Sequence, residues 1–136
     1  MANITGGCLC GAVRYTATGE AAFAGNCHCR DCRRVAGSAY MPVLAHPRAA
    51  VRVTGMVNYF KRKSDSGQFS YEGFCSECGS RLVAHADSLP GMFFIQAGSL
   101  DEPNLYKPQF DMYTSSAARW DLIDPALPKF ERMPPA

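Results

Sequence analysis

Phe74-Cys75-Ser76-Glu77-Cys78-Gly79-Ser80 is the stretch on which the reading of this chain turns. Two residues between the cysteines let both sulfurs point to one side of a tight turn, where backbone N–H groups can also face them. Gly79 then supplies the conformational freedom to leave that turn. Such a knuckle is half of a metal site, and its other half must come from elsewhere in the sequence, which is how a metal staples distant strands. Cys8-Leu9-Cys10-Gly11 is a suitable partner.

Of the seven cysteines, the remaining three are packed into Cys27-His28-Cys29-Arg30-Asp31-Cys32. Cys27 and Cys29 share a side in an extended chain, and a following helical turn brings Cys32 back to them; His28 points the other way, behind the loop. Zinc takes four protein ligands when it only holds a fold together, and three when it keeps a position open for chemistry. The cysteines thus divide into Cys8, Cys10, Cys75 and Cys78 for a closed structural zinc and Cys27, Cys29 and Cys32 for a second, open zinc. Spacing alone leaves alternatives. Cys8 and Cys10 can close on Cys27 and Cys29 and leave Cys32 with the knuckle, or a distant His46, His85 or Asp31 can close the second site.

A disulfide framework fits poorly, because an odd number of cysteines leaves a thiol over. The N-terminus, Met1-Ala2-Asn3-Ile4-Thr5-Gly6-Gly7, has neither the basic start nor the apolar run of a secretory signal. No apolar stretch approaches the roughly 20 residues needed to span a bilayer. The expectation is a protein of a reducing compartment, the cytoplasm, where thiols stay free for metal. Seven thiolates take seven charges from the formal +2 and two zinc ions return four, leaving −1. That balance argues against nucleic-acid and anionic-membrane partners, which need a basic stripe.

At 136 residues with 47% hydrophobic content, the chain is expected to form one domain with a real core that metal supplements. Val13, Tyr15 and Ala17 alternate with polar neighbours, as on a half-buried strand. Further strands are expected at Tyr40–Ala45, Val51–Thr54, Val57–Lys61, Gln68–Phe74, Arg81–Ala86 and Phe93–Ala97, separated by turn-forming breakers. Short helices are expected at Arg30–Ala36, ending at Gly37, and at Ser116–Ile123. The class is therefore mainly β with one or two short helices. The core is expected over about residues 5–130, with an irregular proline-rich tail from Pro125 to Ala136.

Taken together, Gly7-Cys8-Leu9-Cys10-Gly11-Ala12-Val13-Arg14-Tyr15, Cys27-His28-Cys29-Arg30-Asp31-Cys32-Arg33 and Phe74-Cys75-Ser76-Glu77-Cys78-Gly79-Ser80 resemble the glutathione-dependent formaldehyde-activating enzyme family, which also contains centromere protein V. Ala97-Gly98-Ser99-Leu100-Asp101, Trp120 and Leu127-Pro128-Lys129-Phe130 fit as well. The resemblance implies a fold of several small curved antiparallel sheets, the β-tent, stapled by structural zinc on Cys8, Cys10, Cys75 and Cys78. It implies a labile zinc on Cys27, Cys29 and Cys32, near which glutathione binds. The implied activity is carbon–sulfur lyase chemistry on S-hydroxymethylglutathione, the adduct of glutathione and formaldehyde. One departure is visible: relatives commonly carry His-Ile where this chain has Asp111-Met112.

The residues agree with a thiol substrate. A zinc carrying three thiolates is a poorer Lewis acid than one carrying three histidines, so water activation is not its natural task. It stays thiophilic, and coordination would deprotonate a thiol whose free pKa is about 8.5. Arg30, Arg33 and Arg34 offer cationic forks for a tripeptide's carboxylates, and Tyr40, Tyr113 and Trp120 are candidates to line a pocket. Two other functions use the same residues: a non-catalytic thiol or zinc carrier, and an interaction module in which both zincs are structural.

Overall fold

The structure, a computed structural model, describes residues 3–135. Its strands gather into two sheets. One has three strands in the order β1 (Ile4–Gly7), β2 (Arg14–Ala17), β5 (Val51–Thr54). The other has seven: β10 (Phe110–Met112), β3 (Phe23–Cys27), β4 (Met41–Pro47), β9 (Met92–Gln96), β8 (Arg81–Ala86), β7 (Phe69–Cys75) and β6 (Val57–Lys63). The mainly β class expected from the sequence is present and no barrel closes. All pairings are antiparallel except that of β10 with β3.

The two faces of the large sheet have different fates. One packs on the small sheet: Val83 and Ile95 are fully buried against Ile4, Val13, Tyr15 and Ala17, with Cys8 and Cys75 in the same cluster. Fully burying a side chain such as Ile95 is worth about 1.5–3 kcal/mol, so this is the principal apolar core. Residues of opposite ends of the chain clamp it at the rim. Tyr15 Oη and Ser99 Oγ lie 2.6 Å apart, and Arg14 Nη1 donates to Asp101 Oδ1 at 2.9 Å. The other face, set by the register Glu72↔Ala84, Ser70↔Ala86, Ala84↔Phe94 and Cys27↔Met41, carries small residues at its centre. That leaves space above it.

Arg30–Ala36 is the one α-helix among the described residues, α1, with the bounds expected. Gly37 ends it at φ 69°, a left-handed conformation that a side chain would strain. The helix expected at Ser116–Ile123 does not form. Only a 3₁₀ turn at Thr114–Ser116 is regular there, and Ala117 is extended. That segment has no apolar face to bury, since Trp120 is 67% and Leu122 94% exposed, and its buried anchor is the carboxylate of Asp121. Among its described residues the proline-rich tail carries no helix or strand, but it runs hydrogen-bonded along β10: Asp111 N–H donates to Pro128 O and Phe130 N–H to Asp111 O, both at 2.9 Å. Among the described residues no helix is long and apolar enough to cross a membrane.

Candidate functional site

The structure brings the seven cysteines into two groups. Cys8, Cys10, Cys75 and Cys78 converge from the β1–β2 turn and the β7–β8 turn, with all four sulfurs within 4.8 Å of one another. Cys8 and Cys10 Sγ are 3.6 Å apart, and Cys10 and Cys75 Sγ 3.8 Å. A tetrahedral ion with bonds of ~2.3 Å to sulfur sets its ligands about 3.8 Å apart, so the spacing fits such an ion. Backbone donors already face the sulfurs. Val13 N–H donates to Cys8 Sγ at 3.2 Å, and Glu77 and Cys78 N–H to Cys75 Sγ at 3.3 and 3.5 Å. Gly79 leaves the turn at φ 76°, as the knuckle requires.

Cys27, Cys29 and Cys32 form the second group, at the junction of β3 and α1. Cys29 is the N-cap of α1, its Sγ accepting Cys32 N–H at 3.2 Å. This returns Cys32 to the other two, as the spacing predicts. Three thiols this close cannot all ionise unaided. Hydrogen bonds from Cys27 and then Cys32 drive Cys29 down, while Cys29 pushes Cys27 up and Cys27 and Cys29 push Cys32 up. Only a cation lets the second and third thiolates form beside the first. Both groups can therefore hold metal ions. Among the described residues no His, Asp or Glu joins the three cysteines as a fourth ligand. His46 lines a different cavity, with Ile4 and Phe23. His85 is engaged with aromatic rings, its ring centroid 4.6 Å from that of Tyr71, and Asp31 turns to Arg30 and Arg62.

His28 lies behind this loop, 1% exposed. Its Nε2 meets Asp111 Oδ1 at 2.7 Å and its Nδ1 meets Asp121 Oδ2 at 2.5 Å. Both ring nitrogens are thus held by carboxylates, which fixes the plane of the imidazole behind the loop. Lys129 Nζ donates to Asp111 Oδ2 at 3.1 Å, pairing that buried carboxylate with an ammonium group. Asn26 joins through Asp111 Oδ1, at 3.1 Å. The network ties β3, β10, the Asp121 turn and the tail to the loop that carries Cys27 and Cys29. Asp111 is thus a support of that loop, and Met112 is the residue of the pair that faces the cleft. Asp111→Ala should cost about 3–5 kcal/mol, the usual penalty for stripping one partner from a buried ion pair. Urea-unfolding midpoints at constant m-value measure it; a shift worth under about 1 kcal/mol would show that the pairing does not hold the loop.

A cleft of about 800 Å³ opens beside the three cysteines. Arg62, Glu72, Tyr113 and Arg132 line it together with Cys27, Cys29 and Cys32. Of the three arginines expected there, only Arg30 lines the cleft. Arg33 turns away and donates to Ser116 O at 2.9 Å, and Arg34 is exposed outside it. Tyr40 packs on His28, with ring centroids 5.0 Å apart, and Trp120 does not line the cleft. Sequence reasoning missed Arg62 and Glu72. Arg62 Nε donates to Glu72 Oε2 at 2.8 Å, across the β6–β7 hairpin. An alternating Arg62/Ser64 and Ser70/Glu72 face was the available signal, but nothing local said which face was closed.

Two open-faced β-sheets with a four-cysteine and a three-cysteine cluster beside a charged cleft define a class of compact, metal-capable β protein. Residues 3–116 match the family described as glutathione-dependent formaldehyde-activating enzyme. The chain belongs to that family. A crystal structure of a Rhodobacter sphaeroides protein is similar in fold, with a TM-score of 0.57 and 24% identity over 76% of this chain and 96% of that one. No curated protein matches the chain.

Proposed function

We propose that this protein is a zinc-dependent carbon–sulfur lyase acting on a glutathione–aldehyde adduct, S-hydroxymethylglutathione or a related thiol conjugate. The observation that carries the reading is the three-cysteine cluster with no fourth protein ligand, set at the wall of the cleft. The family supports the chemistry, and the free state of all seven cysteines suits a reducing compartment, the cytoplasm. Cys8, Cys10, Cys75 and Cys78 would hold a structural zinc, and Cys27, Cys29 and Cys32 a labile one. A thiophilic ion with an open position supplies stabilised thiolate at neutral pH. The protein's own groups do the rest. Arg30 and Arg132, which line the cleft, present guanidinium groups to the carboxylates of the tripeptide. The small floor of Ser70, Ala84 and Ala86 leaves room for its backbone.

The test uses glutathione and S-methylglutathione. The methylated peptide keeps every carboxylate but cannot become a thiolate. It should bind at least ~100-fold more weakly, because losing the metal–thiolate bond outweighs one exposed ion pair, worth at most about 1 kcal/mol. Wild-type protein should also speed the approach to equilibrium between glutathione, formaldehyde and their adduct. Equal affinity for the two peptides rules the thiolate mechanism out. Tight glutathione binding with no effect on the rate would make the protein a thiol carrier.

A further inference from the structure

We infer that Glu72 is the acid–base residue of this cleft, a catalytic role that rests on the lyase reading above. Glu72 stands on β7, 3% exposed, on the sheet face that floors the cleft. Its Oε2 is anchored by Arg62 Nε at 2.8 Å, while its buried Oε1 has no hydrogen-bond partner. Leaving a charged acceptor unsatisfied costs more than the ~1–3 kcal/mol of a neutral one, and folded proteins keep few such atoms. The neighbours explain why nothing in the chain fills the position. Ala84, opposite on β8, ends at a methyl group, and Phe60, opposite on β6, has no donor. Arg62 is committed to Oε2 and, at 3.5 Å, to Asp31 of α1. The other ionisable groups that act on Arg62 from this side are Cys29 and Cys32. One carboxylate oxygen is therefore fixed and the other is free to meet a donor brought by the substrate.

The hydroxyl of a thiol–aldehyde adduct is such a donor. In lysis its O–H proton passes to Glu72 Oε1, the oxygen's electron pair closes the carbonyl, and the carbon–sulfur bond breaks with its pair left on sulfur. Formaldehyde departs, and Glu72 returns the proton to the thiolate as glutathione leaves. In the reverse direction the thiol proton goes to Glu72 when glutathione binds, sulfur attacks the aldehyde carbon, and Glu72 protonates the new oxygen. No proton is gained or lost overall.

Calorimetry of glutathione binding in two buffers of different ionisation enthalpy counts the protons released. Wild-type protein should release almost none, whereas Glu72→Gln should release about one per thiol bound, the proton having no acceptor in the site. The same variant should lose about 100-fold or more in the rate of adduct exchange. If Glu72→Gln does not fold, Glu72→Asp keeps the charge against Arg62. It should slow exchange while preserving the shape of the pH profile. A folded Glu72→Gln, or failing that Glu72→Asp, with wild-type rate and wild-type proton release overturns the inference and leaves the lyase reading standing. Wild-type protein that binds no thiol and accelerates nothing overturns both.

Discussion

Cys75→Ser should leave no stably folded protein. Cys75 is 1% exposed, lies in the principal core cluster, and its sulfur is 3.8 Å from that of Cys10 across the two turns the cluster joins. A structural zinc contributes on the order of 10 kcal/mol to folding, against a total stability of about 5–15 kcal/mol for an ordinary domain. Losing one of four ligands thus removes a large part of the margin. It also replaces the sulfur that the Glu77 and Cys78 N–H groups face with a smaller hydroxyl. Loss of the cooperative urea transition and of bound metal would be the readout, and stripping the wild type with a strong chelator should reproduce it. A Cys75→Ser protein that melts cooperatively near the wild type would mean that the four cysteines hold no structural ion.

Cys29→Ser should do the opposite: a folded chain with one metal fewer and no thiol binding. Cys29 is half-buried at the cleft wall, outside the principal core. Its local structural duty is to cap α1 by accepting Cys32 N–H. Serine is among the best residues at that position, so the helix start survives while the metal site loses a thiolate. The three-cysteine ion, with one protein bond fewer than the four-cysteine ion, should also leave first during titration with a chelator. Metal analysis, thermal melts and glutathione calorimetry on this variant separate fold from function. If Cys29→Ser and Cys75→Ser melted alike, both clusters would have to be regarded as structural.

The legible part of the fold followed local rules. The helix over Arg30–Ala36 was readable because its stop, Gly37, lies directly after it. Strands such as Val51–Thr54 and Arg81–Ala86 showed through composition and flanking breakers. β3 was missed because it lies between β10 and β4 and is buried on nearly its whole length, so Phe23–Cys27 lacks the alternation that marks a half-buried strand. The expected helix at Ser116–Ile123 failed because long-range contacts, Asp121 with His28 and Ser116 O with Arg33, decide the path of the segment.

The sequence by itself determined which residues are thiols and how few positions separate them, and so favoured a division into four and three; the structure chose that division over the alternatives by bringing Cys8 and Cys10 to Cys75 and Cys78. Ligand type and short spacing are local properties, and they survive any uncertainty about the rest of the chain. Only the tertiary structure decided what surrounds the three-cysteine group. Arg62 and Glu72 meet there through the register of β6 on β7, and His28, Asp111, Asp121 and Lys129 through four separate segments. Strand register and loop paths are set by packing summed over both sheets, so no short stretch of sequence contains them. That is why the arginines beside the cysteines in sequence were expected in the cleft, while two of them point elsewhere and Arg62, from a distant strand, lines it.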